Sequence, residues 1–372
     1  MLKGKQGSSF ANRNSIAKLT HNPTQCQKNL FCAVCPDFQR CGGIQSIAGG
    51  HCYMHCCGGD ENCQMVCRNN PRFPAQVREI GGFDLDNTPR VRPVRRPKLH
   101  GTAPMILHGN KRQTPLYSSM VTLKLRHIVD MKTGVLLHQE RAQLADAFKF
   151  NPSSHIVITG IEQDKWVEPW WSFGRSRRVE ILNQLSDFGI AIATPPNFSL
   201  FCDVPRPNDF SAFKRIALVQ AEFLAAGIPC ALHPHIITDA DSLRWIEFVR
   251  HRPEIDMIAY EFATGAGRTT VRKRHIDHLI SLALEAGRPL DLIVRGDQRV
   301  VSELAPHFRH IVYIDTNAFM KAVHRRIATR SGNRGLKWEK VNTIAGAPID
   351  HIMQTNFDEV ALSTMQLLSK AA

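Results

Sequence analysis

Gly189–His235 reads GIAIATPPNFSLFCDVPRPNDFSAFKRIALVQAEFLAAGIPCALHPH. It opens on one short apolar run, Gly189–Thr194, and closes on a second, Pro229–His233. Neither run alternates apolar with polar residues, as a strand with one wet face would. Strands covered on both faces read this way, and that is the habit of parallel sheets. Between them lies an amphipathic stretch, about Asp209–Ala226, long enough to be the crossover helix that parallel neighbours require. Asp209 stands where an N-cap belongs, and Gly189 and Gly227 fall where a helix has to stop.

Working outward, the same unit recurs. Candidate strands are Met105–His108, Ser119–Leu125, His155–Ile161, Gly189–Thr194, Pro229–His233, Ile255–Glu261, Leu290–Arg295 and Ile311–Asp315. Helical patterns cover about Gly134–Phe150, Arg175–Phe188, Asp209–Ala226, Asp239–His251, Val271–Ala286, Gln298–Phe308 and Ala318–Arg330, with Asp239 as a second N-cap and Gly287 as a further stop. Eight strands with helices between most of them predict an α/β fold, a (β/α)8 TIM-like barrel over residues 99–340. A doubly wound open sheet is the alternative, because no helix separates the first two strands. Ser331–Lys340 reads as a basic, glycine-containing loop. Residues 341–372 form a helical extension whose amphipathic part, about Asn356–Leu368, is expected on the barrel's exterior.

Upstream the composition changes. Nine of the eleven cysteines fall between Cys26 and Cys67: Cys26, Cys32, Cys35, Cys41, Cys52, Cys56, Cys57, Cys63 and Cys67. Residues 26–98 are therefore read as a cysteine-rich metal-binding module with a proline-rich basic linker, preceded by a flexible basic arm at 1–25. Disulfides would need an oxidising compartment, and MLKGKQGSSF carries no secretory signal, so the expected setting is the reducing cytoplasm. Zinc favours paired C-x2-4-C knuckles, and only Cys32/Cys35 is a clear one, although His51 and His55 are at hand to complete a set. Iron–sulfur clusters accept wider spacing, and eight of the nine thiolates would serve two 4Fe–4S clusters. A 4Fe–4S cofactor is the favoured reading and zinc the alternative.

The run Cys32-Ala-Val-Cys35-Pro36-Asp-Phe-Gln-Arg-Cys41-Gly42-Gly43 resembles the C-x2-C-P-x4-C-G-G core of SPASM-type auxiliary cluster domains. That resemblance implies a 4Fe–4S cluster beside a radical barrel. The family's next cysteine is absent, since position 45 is Gln. The C-x3-C-x2-C signature of a SAM-cleaving cluster is absent too: Cys52-x3-Cys56 runs on to Gly59, and Cys63-x3-Cys67 to Asn70. Gly42, Gly43, Gly49 and Gly50 would let the backbone close around a bulky cofactor. A second resemblance covers Gly189–Asp315, on Asn197-Phe198-Ser199-Leu200-Phe201, Asp203-Val204-Pro205 and Ala226-Gly227-Ile228-Pro229. It is to a domain of unknown function from phages and bacterial mobile elements, which often carries Asp where this chain has Asn197. It implies no activity.

The chain has 47 basic against 33 acidic residues, a net charge of +14, with clusters at Arg90–Lys98, Arg175–Arg178, Arg272–Arg274 and Lys321–Arg334. Such patches attract polyanions by counterion release, so a nucleic acid or a phosphorylated substrate is the expected partner. The bland reading is a solvated surface. No run reaches the length of a membrane span, and no membrane association is expected.

In a barrel the reactive groups follow the carboxyl ends of the strands. His155–Ile161 runs into Glu162, Asp164, Trp166, Trp170 and Trp171; Gly189–Thr194 leads to Asn197; Pro229–His233 ends in His233 and His235. Ile255–Glu261 ends in Glu261 and the Gly265–Arg268 turn, Leu290–Arg295 in Arg295 and Asp297, and Ile311–Asp315 in Asp315 and Asn317. Glu261 or Asp315 suits a nucleophile or general base, His233 and His235 proton transfer, and Asn197 completes the catalytic candidates. Arg268, Arg295, Asp297 and Asn317 suit phosphate or substrate binding, with Trp170 and Trp171 stacking a base. Each has a plainer reading: Asp297 as a helix cap, Glu261 as a partner for Arg295, the tryptophans as a lid. Together they suggest an enzyme acting on a nucleic acid or nucleotide by base exchange or modification. The only parallel is fold-level analogy with tRNA-guanine transglycosylase barrels, whose C-terminal zinc cysteines are absent here. The alternatives are a non-catalytic nucleic-acid-binding protein with a structural or redox-sensing cluster, and a zinc-stabilised interaction protein of a mobile element.

Overall fold

The computed structural model describes Cys41, Gly43 and residues 63–68, 70–201, 204–263, 265–330, 336–344 and 346–369. Cys26, Cys32, Cys35, Cys52, Cys56 and Cys57 lie outside the described residues, as does the arm at 1–25.

After helix α1 (Phe73–Glu79) and the extended linker comes an α/β body. Its strands are β1 (Gly101–Pro104), β2 (Met120–Lys124), β3 (His155–Thr159), β4 (Ile190–Thr194), β5 (Met257–Phe262), β6 (Asp291–Gly296) and β7 (Ile311–Asp315). Its helices are α2 (Arg141–Phe148), α3 (Asp164–Ser172), α4 (Gly174–Ser186), α5 (Arg206–Ala225), α6 (Asp239–Arg250), α7 (Thr269–Glu285), α8 (Val300–Leu304) and α9 (Asn317–Val323). One parallel sheet has the order β1-β7-β6-β5 and a second β2-β3-β4. Isolated parallel bridges join Met105 to Thr122, Ala193 to Cys230 and Leu232 to Ile258. The strands are continuous apolar runs, and two cores account for that. The larger core lies under the helices. The smaller takes Ala103 from β1, Met120 from β2, Val157 from β3, Ala191 from β4, Met257 from β5, Ile293 from β6 and Val312 from β7, plus Ala231 from the 229–233 segment.

Several expectations shift in detail. Pro229–His233 is a bridging segment rather than a full strand: Ala231 and Leu232 donate to Ala193 and Met257 on opposite sides, while Pro229 and Pro234 bring no amide hydrogens. The first strand begins earlier than Met105, at Gly101, and beyond Pro104 pairing continues from Met105 to Asp315 and from Ile106 to Thr122. The helix expected from Gly134 starts only at Arg141, because Leu136 bridges Val129. Asp209 is not a cap; α5 starts at Arg206, on the Pro205/Pro207 flank, and Asp209 is buried inside it. The cap of α6 is Thr238, in a reciprocal box with Asp241, one residue before Asp239.

The last quarter departs furthest. The helix expected to run to Arg330 ends at Val323, and Arg325 takes a left-handed φ of 53°. The chain then forms an antiparallel ribbon, β8 (Arg326–Arg330) with β9 (Leu336–Lys340), where a loop was expected. Finally α10 (Asp350–Ser369) packs on β1, α8, α9 and β8. It covers β1, the strand whose own connection supplies no helix. Among the described residues no helix is long and apolar enough to cross a membrane.

Candidate active site at the strand ends

Side chains alternate along a strand, so the two cores assign each strand-end residue a side. In β5, Met257 and Ala259 belong to the inner core and Ile258, Tyr260 and Phe262 to the outer one, which leaves Glu261 on the inner side. In β6, Ile293 is inner while Leu292 and Val294 are outer, so Arg295 is inner as well. The two are cross-strand partners, and Arg295 Nη2 donates to Glu261 Oε1 at 2.7 Å. Its Nη1 reaches the Ile161 carbonyl beyond β3 at 3.2 Å. Lys124, inner by the same count in β2, pairs with Glu162 Oε1, and Arg126 Nε lies 3.3 Å from that oxygen. The Glu162 amide donates to Asn197 Oδ1 at 3.3 Å. Residues from the ends of five strands thus form one chain of contacts: Glu261, Arg295, Ile161–Glu162 with Lys124 and Arg126, and Asn197.

Burial alone would raise the Glu162 pKa, but the hydrogen bonds and charges of Lys124 and Arg126 outweigh it and hold the carboxyl below its ordinary range. Glu162 is therefore a fixed anion at neutral pH. Three cations, Lys124, Arg126 and Arg295, face the carboxylates of Glu162 and Glu261, which leaves the constellation one positive charge in excess. Trp166 lies beside it, with the Arg126 guanidinium 4.9 Å and the Lys165 ammonium 5.4 Å from its ring centre.

Other candidates sit elsewhere. Asp315 has the parity of the outer residues Ile311 and Tyr313, and its oxygens accept from the amides of Asn317 (2.8 Å) and Ala318 (2.9 Å). It caps α9 on the helix side of the sheet, away from Glu261. Burial raises its pKa to about 6 against the pull of those two amides. Asn317 is exposed on the first turn of α9. Asp297 is held by Arg299 (2.8 Å) and Arg272 (2.6 Å), which lower its pKa to about 2, so it is an ionised ion-pair hub.

His233 is 4% exposed and stacks on Tyr260, rings 5.7 Å apart and 3° from parallel, with no partner for either ring nitrogen among the described residues. Burial, then the neighbouring His235 and Arg295, depress its pKa to about 3. It is neutral at physiological pH, which suits a neutral hydrogen-bonding ring and not the proton shuttle expected of it. His235 is half-buried, its Nδ1 3.5 Å from the Phe198 carbonyl. Arg268 precedes α7, after a 3-10 turn at Gly265–Gly267. A Cβ at Gly267 would meet the Phe262 carbonyl oxygen at 1.9 Å, so that glycine serves close packing against the end of β5.

Of the expected stacking residues, Trp170 is fully buried against Phe173 and Phe223 and is core. Trp171 is half-buried on the outer wall, 4.3 Å from the Arg178 guanidinium. It lines a cavity of about 470 Å³ between residues 78–91 and helices α3, α4 and α5. That cavity is remote from the strand ends, and its buried Arg178 is already bound to Glu222 through two 2.8 Å hydrogen bonds. The unspent chemistry is at the strand ends. Lys124 and Arg126 were not singled out from sequence, although Lys124 ends β2 and Arg126 follows it; Glu162 and Trp166 were noted there only as residues that follow His155–Ile161.

Three module cysteines are described, Cys41 and Cys63 half-buried and Cys67 buried. Among the described residues no group of three or more potential ligands converges on a metal position. The module is anchored by Arg206, which donates to the Cys41 carbonyl at 2.8 and 3.1 Å, and by Asn208, which accepts from the Val66 amide at 3.1 Å. Arg206 also pairs with Asp209 at 2.9 Å and with Asp241. Arg206 and Asn208 open α5, which follows β4, so Cys41 and Val66 meet the body on the side of the strands' carboxyl ends. Comparison with protein-family models, with curated proteins and with solved structures gave no match.

Proposed function

We propose that the chain is an enzyme acting on a nucleic acid or nucleotide, built as a (β/α)8 barrel with an N-terminal iron–sulfur module. Closure into a barrel is supported by the three bridges that link the two parallel sheets and the 229–233 segment in sequence, and by the inner core to which all eight segments contribute. The observation that carries the activity is the Glu261–Arg295 pair on the inner side of the strand ends, joined through Ile161 to the Glu162 cluster. Glu261 is the general base or nucleophile, and Arg295 holds its orientation. Lys124, Arg126 and Arg295 supply the excess positive charge that an anionic substrate needs, and Trp166, instead of Trp170 or Trp171, offers a ring for a base. Base exchange or base modification fits this set best. The 4Fe–4S reading rests on the thiol density of Cys26–Cys67, and Arg206 would hold its module beside the site.

Two measurements test this. Protein purified without oxygen is expected to carry iron and acid-labile sulfide with broad visible absorbance; zinc in place of iron would replace the cluster by a structural ion. Incubation with transfer RNA and mixed oligonucleotides, followed by mass spectrometry of bases and nucleosides, is expected to show a change that Glu261→Gln slows by about 10²–10⁴-fold. Full turnover in Glu261→Gln would remove the assignment.

A further inference from the structure

We infer that the β8–β9 ribbon and the adjoining turn of α9 form a docking surface for a nucleic-acid backbone, separate from the strand-end site. Arg326 and Lys340 are directly opposed in the ribbon's register, and both are exposed. The neighbouring Val341 amide bonds the Arg325 carbonyl at 2.8 Å, which makes Arg326/Lys340 a non-hydrogen-bonded pair, the kind whose side chains lie closest. Like charges so placed destabilise a ribbon. Neither has a carboxylate partner among the described residues. On the same face Trp338 is half-buried opposite Ala328, with the Lys321 ammonium of α9 5.6 Å from its ring centre.

The ribbon is held rigidly. The Asn356 side chain accepts from the Ala328 amide at 2.6 Å and donates to the Arg326 carbonyl at 2.9 Å, completing the free edge of β8 as a further strand would. The left-handed Arg325 fixes the base by donating to Pro348 (3.0 Å) and Ala347. One cation beside an aromatic ring, with two more on the adjacent cross-strand pair, suits a phosphate backbone with a base laid by the ring. An acidic protein surface is the competing partner, and edge protection of β9 by its lysines is the structural explanation.

The inference rests on the proposed function only in that the strand held here supplies the base for the strand-end site. The test is fluorescence anisotropy with labelled single-stranded RNA over a salt series, for the full-length protein and Arg326→Ala/Lys340→Ala. The double variant is expected to bind more weakly, with a log–log salt slope shallower by about 1–2, and to melt no lower than the parent once the like-charge pair is gone. An unchanged slope in the double variant overturns the docking surface, and aggregation with an unchanged slope assigns those side chains to edge protection. Equal capture of polyglutamate, with equal loss in the double variant, overturns nucleic acid as the partner. Failure of the strand-end reading shows separately, as turnover surviving in Glu261→Gln.

Discussion

Glu261 and Asp315 end neighbouring sectors of the same parallel sheet, both as acidic residues at a strand's carboxyl end, and they do different work. Glu261 continues the Met257–Ala259 row into the inner side and meets Arg295 at 2.7 Å. Asp315 continues the Ile311–Tyr313 row toward the helices and spends both oxygens on the first amides of α9. Position along a strand says that a residue is near the site. Parity says whether it faces the substrate or supports the fold.

The contrast breaks most visibly in rate. If parity assigns the roles, Glu261→Gln loses about 10²–10⁴ in turnover while Asp315→Asn keeps the parental rate. The reverse result would move the chemistry to the helix side of the sheet.

Stability sharpens it from the other direction. Removing the cap in Asp315→Ala is expected to cost about 0.5–2 kcal/mol in chemical denaturation, the usual range for a lost N-cap. The pH dependence has a definite sign. Burial raises the folded-state pKa of Asp315 from 3.8 to about 6, so between those values the folded protein holds a proton that the unfolded chain has released. Asp315 therefore makes stability fall as pH rises from about 4 to about 6. Asp315→Asn is expected to flatten that part of a pH–stability curve, and an unchanged curve would show that Asp315 titrates normally.

Much of the fold was readable in advance, because buried parallel strands announce themselves as apolar runs at regular spacing. Parity was harder to read. The β3–β4 register shifts between Ile156 and Val157, and Ala191 and Ile192 of β4 both face the inner core, so counting by twos along the sequence loses its phase there. The Glu261–Arg295 pairing was legible as an alternative, since strands of matching length put two end residues side by side. The tryptophans were not, because their exposure depends on the phase of α3, and Pro169 inside that helix argues against a helix there at all. The ribbon was missed because the residue that turns the chain out of α9 is Arg325, where a glycine or asparagine would have signalled a stop. The start of α5 carried a signal that was passed over: Pro205-Arg206-Pro207 marks a first helical turn better than Asp209 does.

The smallest effect tests whether the Glu162 cluster belongs with Glu261 or with the scaffold. Lys124 and Arg126 together hold the Glu162 carboxyl below its ordinary range against its burial. Lys124→Met leaves Arg126 in place, 3.3 Å from the same oxygen, so Glu162 stays ionised at neutral pH and the neutral-pH rate is expected to fall only modestly. The change belongs at acid pH. With one cation gone the carboxyl protonates at a higher pH, and the acid limb of the pH–rate profile moves upward if Glu162 must be an anion for turnover. The stability that the depressed carboxyl contributes above its unfolded pKa is then also lost at a less acid pH. A shift in stability with no shift in the rate profile would separate the two carboxylates, leaving Glu162 to hold the rim and Glu261 to act alone.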